Sequence, residues 1–264
     1  MTDTRIQAVT APDDSAPDDA ALRGERERLI RVFADLVEPL GRSLPSSIEV
    51  VLHDLERLPN SIVAVHGDVT GRRVGDPATD LLLQKVASGD FSHAVGYSTQ
   101  LLDGRYLRST TMFLRDSTGT AVAALCLNSD VSVWQALGKF VSDMGGLLEP
   151  VASALGAELT PALEHPPAPE EVFPRDLDEL ASHLIHQAIL EQNVPVDLMR
   201  KEHKIAVVRT LKARGMFMLR DAVEMIATSL GVTRFTIYNY LNELDGEAVP
   251  SVTDSTPKRK RASR

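Results

Sequence analysis

Gly231 stands between two stretches that each read as a short helix, RDAVEMIATSL before it and TRFTIYNYLNEL after it. No other part of the 264-residue chain constrains the fold as tightly. Ala227 lies four residues before the glycine and Ile237 six after it. Two helices that cross at a tight corner need a small residue at the crossing and a residue that accepts positive φ at the bend. They also need a branched apolar side chain reaching back from the second helix. Ala227, Gly231 and Ile237 fill those roles, and Ile226, Leu230, Val232 and Leu241 complete the apolar set. An earlier helix, HKIAVVRTLKARG, closes at Gly215, and GMFML connects it to the pair. Residues 196–246 are therefore expected to form a helix-turn-helix unit.

Thr233 is the expected cap of the last helix, whose opening turns offer Arg234, Phe235, Thr236, Tyr238 and Asn239. In helix-turn-helix proteins these positions meet base edges in the major groove. Arg pairs bidentately with guanine and Asn with adenine, Phe235 suits a thymine methyl, and Thr236 and Tyr238 suit phosphate. The competing reading is a plain three-helix bundle with solvated polar residues. Tyr240 is expected to pack inward. The charge distribution bears on the choice. The chain carries −9 overall, yet from Val196 onward 13 Lys and Arg face 8 Asp and Glu, a net of +5, which leaves −14 in residues 1–195. Phosphate contacts depend on local charge, so an acidic average does not exclude double-stranded DNA as a partner. The terminal PKRKRASR places Lys258, Arg259, Lys260 and Arg261 in a basic tail over 247–264, read either as a non-specific phosphate-binding arm or as a solubilising end.

Upstream the pattern changes. Residues 1–24, rich in Ala, Asp and Pro, read as a disordered acidic tail. ERERLIRVFADLVEPL carries Leu29, Ile30, Phe33, Leu36, Val37 and Leu40 at helical spacing. SIEVVLHDL then sets Ile48, Val50 and Leu52 against Glu49, Val51 and His53. SIVAVHG, GYST, YLRSTTMFLRD and TAVAALCLN are further strand candidates, and ATDLLLQKVASG is a helix between them. The fold class expected is α+β: a PAS-like antiparallel sheet with flanking helices over 25–132, joined to the all-α C-terminal unit.

Three connecting segments follow the sheet. Trp134, Leu137, Val141, Met144, Leu148, Val151 and Leu155 step by three and four, a heptad seam in a helix over 133–160. Pro150 should bend it. The seam serves packing on its own domain, dimerisation, or signal relay between the domains. Residues 161–175 read as a Pro-rich linker. A linker helix over 176–195 follows, with Asp176 as N-cap, Glu179 as its capping-box partner and an apolar stripe through Leu180, Ala181, Leu184, Ile185 and Ala188.

A pocket for a small effector in the sheet domain would draw on polar residues near strand ends: His53, Asp54, Arg72, Tyr97, Arg108, Ser109, Asn128 and Asp130. Arg72 and Arg108 suit a carboxylate, Asp54 and Asp130 an ammonium group. Each also has a structural use: Arg72 in a turn, Asp130 as a helix cap, Asn128 at a strand end, His53 on an inner face. His53-Asp54 follows a strand pattern, unlike the helical His-Asp metal sites, so no metal and no cofactor are expected. No nucleophile–base arrangement or phosphate loop appears, which argues against an enzyme. A small hydrolase with a helical oligomerisation module, or a non-sensing dimerisation scaffold, are the rival readings. Cys126 is the single cysteine, so no internal disulfide is possible. No apolar run reaches the roughly 18–20 residues of a membrane span, and the N-terminus lacks a signal-type apolar core, so a cytoplasmic protein is expected.

The segment HKIAVVRTLKARGMFMLRDAVEMIATSLGVTRFTIYNYLNEL resembles the helix-turn-helix of the YheO-like, DauR-type transcriptional regulators. EVVLHDL, SIVAVHGDVTGRRVGDPATD, YLRST and ALCLNSD resemble that family's PAS-like domain, in the same order. The likeness spans roughly residues 28–245. It implies a bacterial, cytosolic, DNA-binding regulator whose N-terminal domain senses something, without naming the ligand. The overall expectation is a homo-oligomeric regulator, a repressor as a known relative is, whose PAS-like domain binds a small cytosolic metabolite such as an amino acid and which has no contact with a membrane.

Overall fold

The computed structural model describes residues 19–101, 103–138, 140 and 171–247. Helix α1 spans Asp19–Ser43. It starts inside the stretch 1–24 read from sequence as a disordered tail. Ala20, Ala21 and Leu22 are strong helix formers and Asp19 suits a helix N-terminus, which explains the earlier start. Residues 1–18 lie outside the described set. Leu29, Ile30, Phe33 and Val37 face the sheet, whereas Leu36 and Leu40 turn toward solvent.

Five strands follow: β1 Ile48–Asp54, β2 Ile62–His66, β3 Ala94–Gln100, β4 Tyr106–Arg115 and β5 Ala121–Asp130. They form one sheet in the order β2-β1-β5-β4-β3, antiparallel at every pairing. Helix α2, Asp80–Ser88, crosses from β2 to β3. Thr79 caps it by accepting from the Leu82 N–H at 3.2 Å, and Gly89 ends it in the left-handed region. Strand β1 is interior to the sheet and buried on both faces. Val50 and Leu52 join the α1 core, while Glu49, Val51 and His53 point to the other face, as their alternation requires.

Helix α3 occupies residues 132–138 and carries Val133, Trp134 and Leu137 on its exposed side. The seam positions Val141, Met144, Leu148, Val151 and Leu155 lie outside the described residues, as do 161–170 of the expected linker and the basic tail from 248 onward.

The C-terminal helices are α4 Leu177–Leu190, α5 Lys201–Ala213, α6 Ala222–Ser229 and α7 Arg234–Glu247. Asp176 caps α4 by accepting from the Glu179 N–H at 2.8 Å. Glu179 reaches back to the Arg175 N–H at 2.9 Å, one residue earlier than a capping box prescribes. The apolar stripe of α4 is buried against α5 and α6, so this helix belongs to the C-terminal bundle. One core joins the two halves of the molecule: Leu82, Leu83, Phe113 and Ala124 pack in the same cluster as Leu184, Leu211, Met216 and Ile226. The two halves come close at Gly215, whose φ is +79° and where an added Cβ would lie 3.0 Å from the Leu83 carbonyl oxygen. Among the described residues no helix is long and apolar enough to cross a membrane.

Candidate functional site

Two regions collect functional chemistry: the outer face of α7, and a polar interior between the sheet and the C-terminal helices.

The corner before α7 has the expected geometry. Gly231 has φ +61°, and the Val232 N–H returns to the Ala227 carbonyl at 3.0 Å. Ala227 and Ile237 are buried, Ile237 completely. Lys204 of α5 donates to the Leu230 carbonyl at 2.8 Å, satisfying an otherwise open acceptor at the end of α6. Thr233 caps α7 by accepting from the Thr236 N–H at 3.2 Å, and the two hydroxyls lie 2.9 Å apart. Thr233 and Thr236 are therefore committed to each other at the helix start. Ile237, Tyr240 and Leu244 fix the inner face. The opposite face presents Phe235, 73 % exposed, Tyr238, 55 % exposed, and Asn239. Asn242 continues that face at seven-residue spacing from Phe235, a position the sequence reading passed over. Arg234 sits at its edge, where it donates to Glu224 of α6 at 2.6 Å. Lys258, Arg259, Lys260 and Arg261 fall outside the described residues.

The polar interior begins with the register of the sheet. Glu49 of β1 pairs with Asn128 of β5, which pairs with Ser109 of β4. Their side chains share one face and bond in series. The Ser109 hydroxyl donates to Asn128 Oδ1 at 3.0 Å, and Asn128 Nδ2 donates to Glu49 Oε1 at 3.3 Å. Thr70 gives its hydroxyl to Glu49 at 2.6 Å, and Arg72 Nε reaches Thr70 at 3.3 Å. At the other end Thr99 of β3 lies 3.4 Å from Ser109. A second row holds Tyr97, whose hydroxyl is 3.0 Å from that of Thr111, itself 3.5 Å from the Cys126 sulfur. Burial pushes the Tyr97 hydroxyl up and the Cys126 thiol up to about 11. His53 is buried and bonds Ser61 at 2.8 Å. Burial and the Arg72 charge hold it well below the usual histidine range, so the ring is neutral.

Of the pocket residues named from sequence, His53, Arg72, Tyr97, Ser109 and Asn128 come together on this face. Asp54, Arg108 and Asp130 do not. Asp54 caps the turn at Leu55–Arg57 and pairs with Arg57 at 3.1 Å. Arg108 follows the strand alternation to the opposite, exposed face beside Gly96. Asp130 accepts from the Ser132 N–H at the start of α3 and pairs with Arg105 at 3.3 Å. Asp54 and Asp130 are each held by a local backbone and ion-pair partner at a strand end.

Six residues of this interior were not singled out from sequence: Glu49, Ser61, Thr70, Thr99, Thr111 and Glu171. Period two alone would have found Glu49, which shares its strand face with His53. Glu171 had no such signal, because it lies in a Pro-rich segment. Its neighbour Val172 is buried and donates its N–H to Asp80 Oδ1 at 3.0 Å, and the Phe173 ring lies 5.0 Å from the Arg72 guanidinium carbon. Segment 171–174 thus packs on the sheet domain and leads directly into α4. Glu171 is 6 % exposed and Arg72 3 %, yet Glu171 Oε2 and Arg72 Nη1 have no hydrogen-bond partner. Burial, with the Asp80 carboxylate adding to it, pushes Glu171 up to about 7, against an opposing Thr79 hydroxyl and the Arg72 charge. A cavity of about 390 Å³ opens here between α2, β3, α4 and the end of α5. Glu171 and Thr99 form its inner wall, Asp80, His183, Gln187 and Arg214 its rim.

The sequence profile of the YheO-like PAS domain matches residues 24–146, and that of an HTH domain matches residues 180–242. The transcriptional regulator DauR of Pseudomonas aeruginosa is 31% identical over 198 residues, which cover 74% of this chain and 85% of DauR. The uncharacterized protein YheO of Escherichia coli K12 is 24% identical over 219 residues, 81% of this chain and 84% of YheO. An uncharacterized protein of Haemophilus influenzae is 25% identical over 227 residues, covering 84% of this chain and 94% of its own length.

Proposed function

This chain belongs to the DauR- and YheO-like family, in which a YheO-like PAS domain precedes an HTH domain, and we propose that it is a cytoplasmic transcriptional regulator, a repressor rather than an enzyme, that binds double-stranded DNA through α7. The carrying observation is the outward face of Phe235, Tyr238 and Asn239. It is held clear of the core by the Gly231 corner and by the buried Ile237 and Tyr240. The face is of the size and composition that major-groove readout uses.

The PAS-like domain acts as the sensor of a small amino-acid-like metabolite. The shared core and the Gly215 contact with α2 support this coupling, because a change in the sheet domain cannot leave the C-terminal helices unaffected. The protein works as a homodimer on a paired operator, with the seam that begins at Trp134 and Leu137 as the dimer contact.

Genome-wide capture of bound DNA, followed by anisotropy titration of a recovered fragment with the parent and Asn239→Ala, tests the DNA reading. A shared motif and a selective loss in the variant are expected. Recovered fragments without a common motif, bound equally by both proteins, sink it.

A further inference from the structure

The cavity between the sheet domain and the C-terminal helices has one unusual wall. Glu171 is 94 % buried, lines the space and keeps one carboxyl oxygen unpartnered. A buried acceptor left open costs on the order of 1–3 kcal/mol unless something occupies it. A second carboxylate, Asp80, shares the cavity. Its Oδ1 accepts from the Leu81 and Val172 N–H groups, and its Oδ2 lies 3.6 Å from His183 Nε2. Arg214 on the far side is already paired with Glu191. Arg72, whose Nη1 is also unpartnered, does not line the space, so the carboxylates of the wall exceed the cations that line it.

We propose that this cavity binds a small organic cation, a protonated primary amine, with Glu171 as its buried counter-ion and Asp80 as the second acceptor. The proposal rests on the sensing reading above and deepens it by naming the site and the ligand chemistry. Gln187, and the Arg214 N–H groups other than the Nη2 paired with Glu191, supply donors at the rim, so an amine that also carries a carboxylate fits the same space. The cavity volume of about 390 Å³ suits a molecule of amino-acid size.

The position makes the site a coupling point. Asp80 and Thr99 belong to the sheet domain, His183 and Gln187 to α4, Arg214 to the end of α5, and Glu171 to the short segment that runs into α4. A ligand held by all of these has a different affinity for any arrangement in which α4 shifts against α2, which is the condition for biasing the DNA-binding helices. The charged and titratable groups facing Glu171 are Asp80 of α2, His183 of α4, Arg214 just after α5, Arg72 of the loop after β2, and Tyr97 of β3 and Cys126 of β5 on the sheet. A cation placed between Glu171 and Asp80 favours the ionised carboxylate, so a neutral Glu171 gives up its proton on binding.

Titration calorimetry on the full chain at pH 6, in buffers of different ionisation enthalpy, tests this with three probe sets: the standard amino acids, the amines derived from them by loss of the carboxyl group, and the corresponding 2-oxo acids. Binding by members of the first two sets and none of the third is expected, with release of about one proton per ligand. Glu171→Gln should weaken that binding on the order of a hundredfold and abolish the proton release, while Glu171→Asp restores part of both. No binding by any amine or amino acid, as for a cavity that holds only water, overturns the proposal. So does binding confined to the 2-oxo acids, or affinity and proton release unchanged in Glu171→Gln. Operator binding without ligand is measured on the same samples. If it persists while the calorimetry is negative, the cation site alone has failed; if it is absent, the DNA-binding reading has failed.

Discussion

The Arg234 guanidinium and the Glu224 carboxylate form an ion pair across the helix-turn-helix, Nη2 to Oε1 2.6 Å, although both side chains remain more than half exposed. Arg234 leads the helix proposed to read DNA, so its partner is an acidic group set beside the proposed path of a phosphate backbone. An exposed pair of this kind is weak and salt-sensitive, and a guanine edge or a phosphate can displace the carboxylate. Glu224→Gln is expected to raise affinity for all DNA roughly two- to fivefold at moderate salt. Arg234→Ala should relax preference at one operator position, costing ~1–3 kcal/mol there. Anisotropy titrations on operator and scrambled fragments check both. Equal losses on the two fragments for Arg234→Ala remove base readout by this side chain.

Glu171 makes stability depend on pH with a definite sign. Its carboxyl ordinarily titrates near 4.5 and is pushed up to about 7 by burial, with the Thr79 hydroxyl opposing and the Asp80 carboxylate adding to the rise. Between those values the folded protein keeps a proton that the unfolded chain has lost. The stability this confers is complete below about pH 4.5 and is lost as pH rises through 7, about 3 kcal/mol in all. Glu171→Gln mimics the protonated form. Urea unfolding should find parent and variant alike at pH 4 and the variant more stable at pH 8. A variant that is less stable at both pH values shows that the ionised carboxylate is well accommodated.

Gly215 takes φ +79° at the point where α5 meets α2, and an added Cβ would press on the Leu83 carbonyl oxygen at 3.0 Å and the Ala87 methyl at 3.3 Å. Gly215→Ala therefore combines backbone strain with crowding, and a loss of roughly 1–3 kcal/mol is expected. Because the contact joins the sheet domain to the C-terminal bundle, urea unfolding should also become less cooperative. An unchanged single transition contradicts the account.

Trp134, Leu137 and Phe140 expose 69%, 49% and 61% of their surface just after β5. Under the dimer reading this apolar strip is covered by its copy. Leu137→Asp should shift sedimentation toward the monomer while the melting temperature of the sheet domain stays within a few degrees, since an exposed side chain supports little of its own fold. A variant that still sediments as the parent does removes this segment from the dimer contact.

The amino-acid sequence by itself determined the elements and their punctuation. Short β-branched runs between turn residues marked the five strands, with period two explicit in β1. Ala227, Gly231 and Ile237 marked the corner, and Asp176 the cap of α4. These are local signals, carried by residues within a turn or two of one another. The same alternation placed Glu49 beside His53 on one strand face, although its role surfaced only with its cross-strand partner Asn128. Asp54, Arg108 and Asp130 were chemically suitable for a ligand, and only the register showed each of them engaged elsewhere or turned to the other face. Tertiary structure alone decided Glu171. Nothing in EVFPRD announces a buried carboxyl, because its burial depends on α2 and the loop before it, about ninety residues earlier in the chain, where Asp80 receives Val172 and Arg72 receives Phe173. Periodicity describes how a segment relates to its own neighbours, whereas a cavity is made by segments that meet only when the chain has folded.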